Sequence, residues 1–239
     1  MNQIRTAENV DDILPIVNGR HLPVEKGREA FITLACTNTV ADAINDQELG
    51  KLDTPLRTFI GEVTGKFALE DEKLPSPLNL GLKVGAQVMF TKNDEAKRWV
   101  NGTVGRIVDF EEDAIRVEVK DGILKGTYDV NRVKWESFKY EYDHEKDRIR
   151  PVSTGVYRQY PLMLAWAVTI HKSQGKTLEK VLLDLGNGAF SPGQVYVALS
   201  RCRALEDIHL LRPIQATDIK CDPVIKRFYA ALNDGKGEN

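Results

Sequence analysis

Residues 30–36 read Ala-Phe-Ile-Thr-Leu-Ala-Cys, a short, mostly apolar run that predicts a strand buried on both faces. Thr37 or Asn38 can cap a helix over 40–49, in which Val40, Ala43, Ile44 and Leu49 recur at helical spacing. A strand running into a capped helix is the repeating unit of an α/β sheet. The same texture returns after residue 160. It predicts buried strands over 162–168, 181–185 and 208–211 and a helix over 194–201. A closing helix is expected over 222–232, with Val224, Ile225, Phe228 and Tyr229 on one face. Near the start, a short helix at 11–17 precedes an Asn18-Gly19 turn.

The middle of the chain has a different rhythm. Residues 57–63 alternate apolar and polar, and 78–90 hold two short apolar runs around Gly81 and Gly85. Beyond Trp99, Asn101-Gly102 and Asp121-Gly122 are hairpin turn signals between expected strands at 103–110, 115–119, 123–130 and 133–140. The charged stretch 141–150 reads as a loop. About five short strands in roughly 60 residues, without an amphipathic helix, predict a small β-barrel. The expected organisation is an α/β domain made of 1–98 and 160–232, interrupted by a barrel at 99–159 and ending in a flexible polar tail at 233–239.

Composition narrows the function classes. The 239 residues are 42% hydrophobic and 28% charged, as in soluble globular proteins. No uncharged apolar run approaches the roughly 20 residues of a spanning helix, and Met1-Asn2-Gln3-Ile4-Arg5 does not open a signal peptide. A cytoplasmic protein without a membrane partner is expected. The net charge of −2 argues against a nucleic-acid binder with a broadly basic surface and leaves room for a local basic groove. Cys36, Cys202 and Cys221 are odd in number and far apart in sequence, which suggests neither a disulfide framework nor a metal site.

Two segments carry chemistry. Thr169-Ile170-His171-Lys172-Ser173-Gln174-Gly175 directly succeeds a predicted strand, at the carboxyl end where open α/β sheets bind ligands. Its hydroxyl, imidazole, ammonium and amide groups suit phosphate oxygens, although a plain surface turn has the same composition. Gly175-Lys176-Thr177 is not a P-loop, because that motif needs a glycine at the position of Ile170. Val181-Leu182-Leu183-Asp184 reads as a buried strand ending in a turn aspartate. In the second segment, 193–203, a helix would align Gln194, Val197 or Ala198, and Arg201 on one face. Arg201 there can stabilise charge on a transferring phosphoryl group, or it can simply complement the helix dipole.

Residues 165–177 and 193–201 together resemble motifs V and VI of superfamily-one (1B) DNA helicases of the Pif-one/RecD-like group. Thr37-Asn38 with Ile44-Asn45 is similar to the group's motif IV. Residues 82–90 with 101–105 resemble the entry to its barrel insert, and Gln159-Tyr160-Pro161-Leu162 the exit. The resemblance spans 31–212. It implies the C-terminal region of an ATP-dependent DNA helicase, a second RecA-like domain of the P-loop NTPase type carrying an SH3-like β-barrel. It implies that Arg201 is an arginine finger reaching the ATP γ-phosphate, with Gln194, Gln174 and Gly175 nearby. Thr169, His171, Lys172 and Ser173 would contact or couple to the single-stranded DNA backbone, with Thr37 and Asn38 adding contacts. The resemblance also implies 5′→3′ movement. An N-terminal RecA-like domain, expected outside this sequence, would bind most of the ATP and Mg2+, leaving the chain alone inactive. The alternative expectation is a stand-alone nucleic-acid-binding or protein-interaction module using the barrel, whose insert holds Phe110, Tyr128, Trp135, Phe138, Tyr140 and Tyr142.

Overall fold

The computed structural model describes residues 2–21, 31–67, 74–120, 123–143 and 147–234. The expected Asp121-Gly122 turn and residues 235–239 of the tail lie outside them. The chain packs as two units, Met1–Gln47 with Trp166–Asn239 and Glu48–Ala165. The fold is α/β, as the alternating texture predicts.

In the first unit, β1 (Ile32–Ala35), β12 (Ala167–Thr169), β13 (Val181–Asp184) and β14 (Ile208–Leu210) form a parallel sheet in the order β12-β1-β13-β14. β1 and β12 are buried along their whole length, as parallel strands covered on both faces must be. The α-helices among the described residues are α1 (Asn2–Thr6), α2 (Val10–Asn18), α3 (Asn38–Gly50), α4 (Gln194–Leu199) and α5 (Pro223–Asp234). Thr37 caps α3, its Oγ1 accepting the Val40 amide at 3.4 Å. Further along α3, the buried Asn45 accepts the Ala167 N–H at 2.9 Å and donates to the Ala167 carbonyl at 2.8 Å. β12 is an edge strand, and this one amide stands in for a missing neighbouring strand.

Near the amino terminus, Arg5 lies over the Tyr196 ring at 4.5 Å and donates to the hydroxyls of Tyr196 and Tyr229, which ties α1 to α4 and α5. The apolar face expected of the closing helix does not enter the core. Val224, Ile225 and Phe228 are exposed, and Tyr229 alone of the four is half-buried.

The second unit is antiparallel. β5 (Gln87–Phe90), β6 (Val104–Phe110), β7 (Ala114–Val119), β8 (Gly126–Asn131) and β11 (Leu162–Leu164) form a sheet ordered β11-β5-β6-β7-β8. β3 (Glu62–Gly65), β9 (Val133–Asp143) and β10 (Arg148–Gln159) form another, and β2 (Arg57–Ile60) pairs with β4 (Asn79–Leu82). Among the described residues no pairing joins β8 to β11, so the strands are open sheets and not a closed barrel. The expected boundaries at 98/99 and 159/160 fall inside this unit. The reason is physical: β3 is bonded to β10 and β5 to β6, so 57–98 is knitted into the insert.

Two further expectations are corrected. The apolar run 162–168 is not one strand. Leu162–Leu164 pairs antiparallel with β5, while Ala167–Thr169 pairs parallel with β1. The described part of the charged stretch is not a loop: 141–143 complete β9 and 148–150 open β10, with Arg148 opposite Asp143. One extra residue, Thr154, sits in β10 between the pairs Ser153–Phe138 and Gly155–Ser137, and forms a bulge. Gly155 is needed beside it, since a Cβ there would stand 2.6 Å from the Lys66 carbonyl carbon.

Candidate functional site

The carboxyl ends of β1 and β12 lie side by side, with Ala35 opposite Thr169. Thr37 and Asn38 leave one strand, and the 170–176 loop leaves the other. Ile170 N–H donates to the Ala35 carbonyl at 2.9 Å and holds the loop against β1. The loop is then wound by its own polar groups. Thr169 Oγ1 accepts the Lys172 amide at 3.2 Å, and Ser173 Oγ donates to the Ile170 carbonyl at 2.7 Å. Thr169 and Ser173 are buried, so their hydroxyls shape the loop from within. His171, Gln174 and Gly175 face outward, and Lys172 is half-buried. Gly175 holds φ at +77°, the left-handed turn that reverses the loop. Gly175-Lys176-Thr177 then runs into β13 and opens no helix. Asp184 closes a turn, its Oδ1 accepting the Gly186 amide at 2.8 Å.

Arg201 lies just beyond α4, which ends at Leu199 and not at 201. Its guanidinium closes over the loop. Nε donates to the Val197 carbonyl at 2.8 Å, and Nη1 to the carbonyls of Ser173 at 3.2 Å and Lys176 at 3.1 Å. Nη2 donates to Ser200 Oγ at 2.7 Å. Part of its role is thus the helix-end contact expected of a C-terminal cation. Gln194 is buried. Its Oε1 accepts the amides of Phe190 and Ser191 at 3.1 and 3.3 Å, and its Nε2 donates to the Cys36 carbonyl at 3.3 Å. Its amide therefore joins the 190–191 turn to the end of β1.

Sequence reasoning passed over Lys176 once the P-loop was excluded. In the structure its Nζ donates to the Lys172 carbonyl, and its ammonium is pushed below the ordinary lysine range by burial, then by Lys172 and Arg201. Among the described residues none of these three cations meets a carboxylate. An anion placed beside these crowded cations would favour their charged forms. The four-residue spacing of Lys172 and Lys176 in a polar loop was the available signal.

No protein-family model matches the chain. It is 38% identical over 192 residues to the ATP-dependent DNA helicase Pif1 of Bdellovibrio bacteriovorus, covering 79% of this chain and 40% of that protein. The human ATP-dependent DNA helicase PIF1 is 39% identical over 219 residues, covering 88% of this chain and 32% of the human protein. Bacteroides sp Pif1 in complex with ADP-AlF4 superposes with a TM-score of 0.83 at 30% identity, over 98% of this chain and 53% of that one. The chain is a Pif1-like helicase region. Bacteroides Pif1 bound to ssDNA also matches, with a TM-score of 0.70 at 31% identity. The Pif1-like region spans well under half the length of these curated relatives and about half of the solved Pif1 chains. No helix among its described residues is long and apolar enough to cross a membrane.

Proposed function

We propose that the Pif1-like region forms one half of a cytoplasmic, ATP-driven 5′→3′ DNA helicase motor. In it, Arg201 acts as the arginine finger, and Thr37, Asn38, His171 and Lys172 meet the backbone of single-stranded DNA. The observation that carries this reading is the trio Lys172, Lys176 and Arg201 at the carboxyl edge of a parallel sheet, which meets no carboxylate among the described residues. Similarity to Pif1 proteins solved with ADP-AlF4 and with ssDNA supports the choice of ligands. Gly175 and Gln174 border the nucleotide, whereas Thr169, Ser173 and Gln194 act as positioning residues because their polar groups are engaged inside the fold. The Nη1 bonds of Arg201 to neutral carbonyls, at 3.1–3.2 Å, are weaker than the charge-assisted bonds a γ-phosphate would offer. ATP and Mg2+ are bound mainly by the N-terminal RecA-like domain of the whole protein. Phosphoryl transfer needs positioning from both halves, so the chain alone should not hydrolyse ATP. The finer reading of the insert is an SH3-like module.

The test is Arg201→Ala in the whole helicase. Turnover should fall by about 10³-fold or more while nucleotide binding persists. Turnover at the unsubstituted rate would refute the finger. DNA-stimulated hydrolysis by the purified chain alone would refute the half-motor reading.

A second reading is favoured by one observation. Phe138, Tyr140 and Tyr142 are exposed along one face of β9, opposite Ser153, Pro151 and Ile149. Such a row can stack bases or dock a protein partner, so the insert can act as a binding module in its own right. Tyr140→Ala in the full chain should weaken single-strand binding about fivefold or more under this reading. Unchanged affinity would remove base stacking from it.

A further inference from the structure

The insert holds a second cationic feature, built from residues of the second unit alone. A polar cavity of about 300 Å³ is lined by Asp113, Asn131, Arg132, Arg158 and Tyr160. Arg132 is anchored, its Nη1 donating to the Ile60 carbonyl at 2.9 Å while its guanidinium lies 5.2 Å from the Tyr160 ring centre. Arg158 stands on β10 and makes no side-chain hydrogen bond among the described residues. Both guanidiniums face one exposed carboxylate, Glu62, at 3.7 Å from Arg132 and 3.6 Å from Arg158. Those separations are too long for hydrogen bonds, so two sets of N–H donors converge on a loosely held Glu62, and the Asp113 carboxylate on the cavity wall is the charge an incoming phosphate must avoid.

We propose that this cavity is a phosphate seat, and that Glu62, near both arginines but not on the cavity wall, holds their guanidiniums until a phosphodiester of a nucleic-acid strand displaces its carboxylate. A phosphodiester offers two unesterified oxygens, and guanidinium forks bind such oxygens at hydrogen-bond distance. The Asn131 amide and the Tyr160 hydroxyl, on the cavity wall, add neutral donors. Arg158 lies opposite Lys134 in the β9–β10 pair, on the face that carries Phe138, Tyr140 and Tyr142 further out. A strand seated at Arg132 and Arg158 therefore has an aromatic row on the same face of the hairpin for its bases. The choice of a nucleic-acid strand over other phosphates rests on the helicase reading; the seat itself rests on the cavity and its arginines.

The test uses the full chain, a fluorescent oligo-dT strand and a salt series. Arg158→Ala should weaken binding about fivefold and make the slope of log K against log salt shallower by about 0.7, one single-strand phosphate. Glu62→Gln should act oppositely and tighten binding severalfold, because it removes the competing carboxylate and leaves both arginines. A merely structural ion pair would not give that gain. Unchanged affinity and slope in both variants would overturn the seat. So would a response to inorganic phosphate alone with none to the oligonucleotide. Lys172→Ala, measured alongside, separates the two sites. Its loss of binding with Arg158→Ala and Glu62→Gln silent overturns the seat and leaves the lobe reading standing. The reverse pattern upholds the seat and overturns the lobe's DNA contact.

Discussion

Asn45→Ala should be among the most costly single-residue changes in the first unit. Asn45 makes both hydrogen bonds available on the outer edge of Ala167, at 2.8 and 2.9 Å, and Ala167 is fully buried. Removing the amide leaves an N–H and a C=O desolvated and without partners. Each orphan costs about 1–3 kcal/mol. The exchange also improves helix propensity within α3 by roughly 0.6 kcal/mol. The net loss is about 3 kcal/mol, or at least ~1.5 kcal/mol if water enters the vacated space. Urea denaturation of the chain measures it, and hydrogen exchange at the Ala167 amide localises it. Asn45→Asp sharpens the test. Its carboxylate can accept from the Ala167 N–H but repels the Ala167 carbonyl, and burial raises its pKa. Protonation restores the donor, so this variant should gain stability relative to Asn45→Ala as pH falls. A loss under ~0.5 kcal/mol with unchanged Ala167 exchange would refute the claim that one side chain substitutes for a strand.

Three other outcomes rest on the same kind of geometry. Asp218 is buried and is held by Arg212 through two bonds at 2.8 and 2.9 Å. Burial pushes its carboxyl upward, but Arg212 and the amides of Gln215 and Ala189 outweigh it and leave the pKa below the usual carboxylate value. A depressed carboxylate contributes stability that is present above its unfolded pKa and lost as pH falls through the folded one. Asp218→Asn should therefore cost about 3 kcal/mol at neutral pH, with the two denaturation curves converging in acid. Lys176→Met removes a half-buried cation whose charging the fold resists. Stability should hold within ~1 kcal/mol while single-strand affinity falls, and a melt paired with an anisotropy titration would expose the opposite result. Gly155→Ala forces a Cβ against the Lys66 backbone and should destabilise the second unit by about 2 kcal/mol; a thermal scan showing no change would contradict the close approach.

Much of the first unit was legible because parallel strands buried on both faces write themselves as continuous apolar runs, as at 32–35 and 181–184. That same property hid the break at Ala165-Trp166, since an apolar run cannot record a change of partner strand. The hairpin beyond residue 140 was illegible for the converse reason. Phe138, Tyr140 and Tyr142 alternate with Lys139, Glu141 and Asp143 on one strand, but the return strand at 148–150 has Ile149 alone between arginines, and only cross-strand pairing reveals the hairpin. At the site, the loop after β12 was readable from its polar composition and Arg201 from its motif. The inward turn of Thr169, Ser173 and Gln194 was not readable, because a polar side chain that bonds its own backbone looks identical in sequence to one that awaits a ligand. Asn45 belongs to that class too.

Thr154 sets the outer half of the long hairpin in a different phase from its base. The extra residue lies on β10 alone, so the residues beyond it are phased separately from Trp135 and Tyr157 at the base. Equal trimming or extension of the two distal strands would change the arm by about 3.3 Å per residue pair. The base would keep its register. Relatives could therefore diverge in reach without redesigning the body that carries the arm, as a telescoping rod is reset above its clamp.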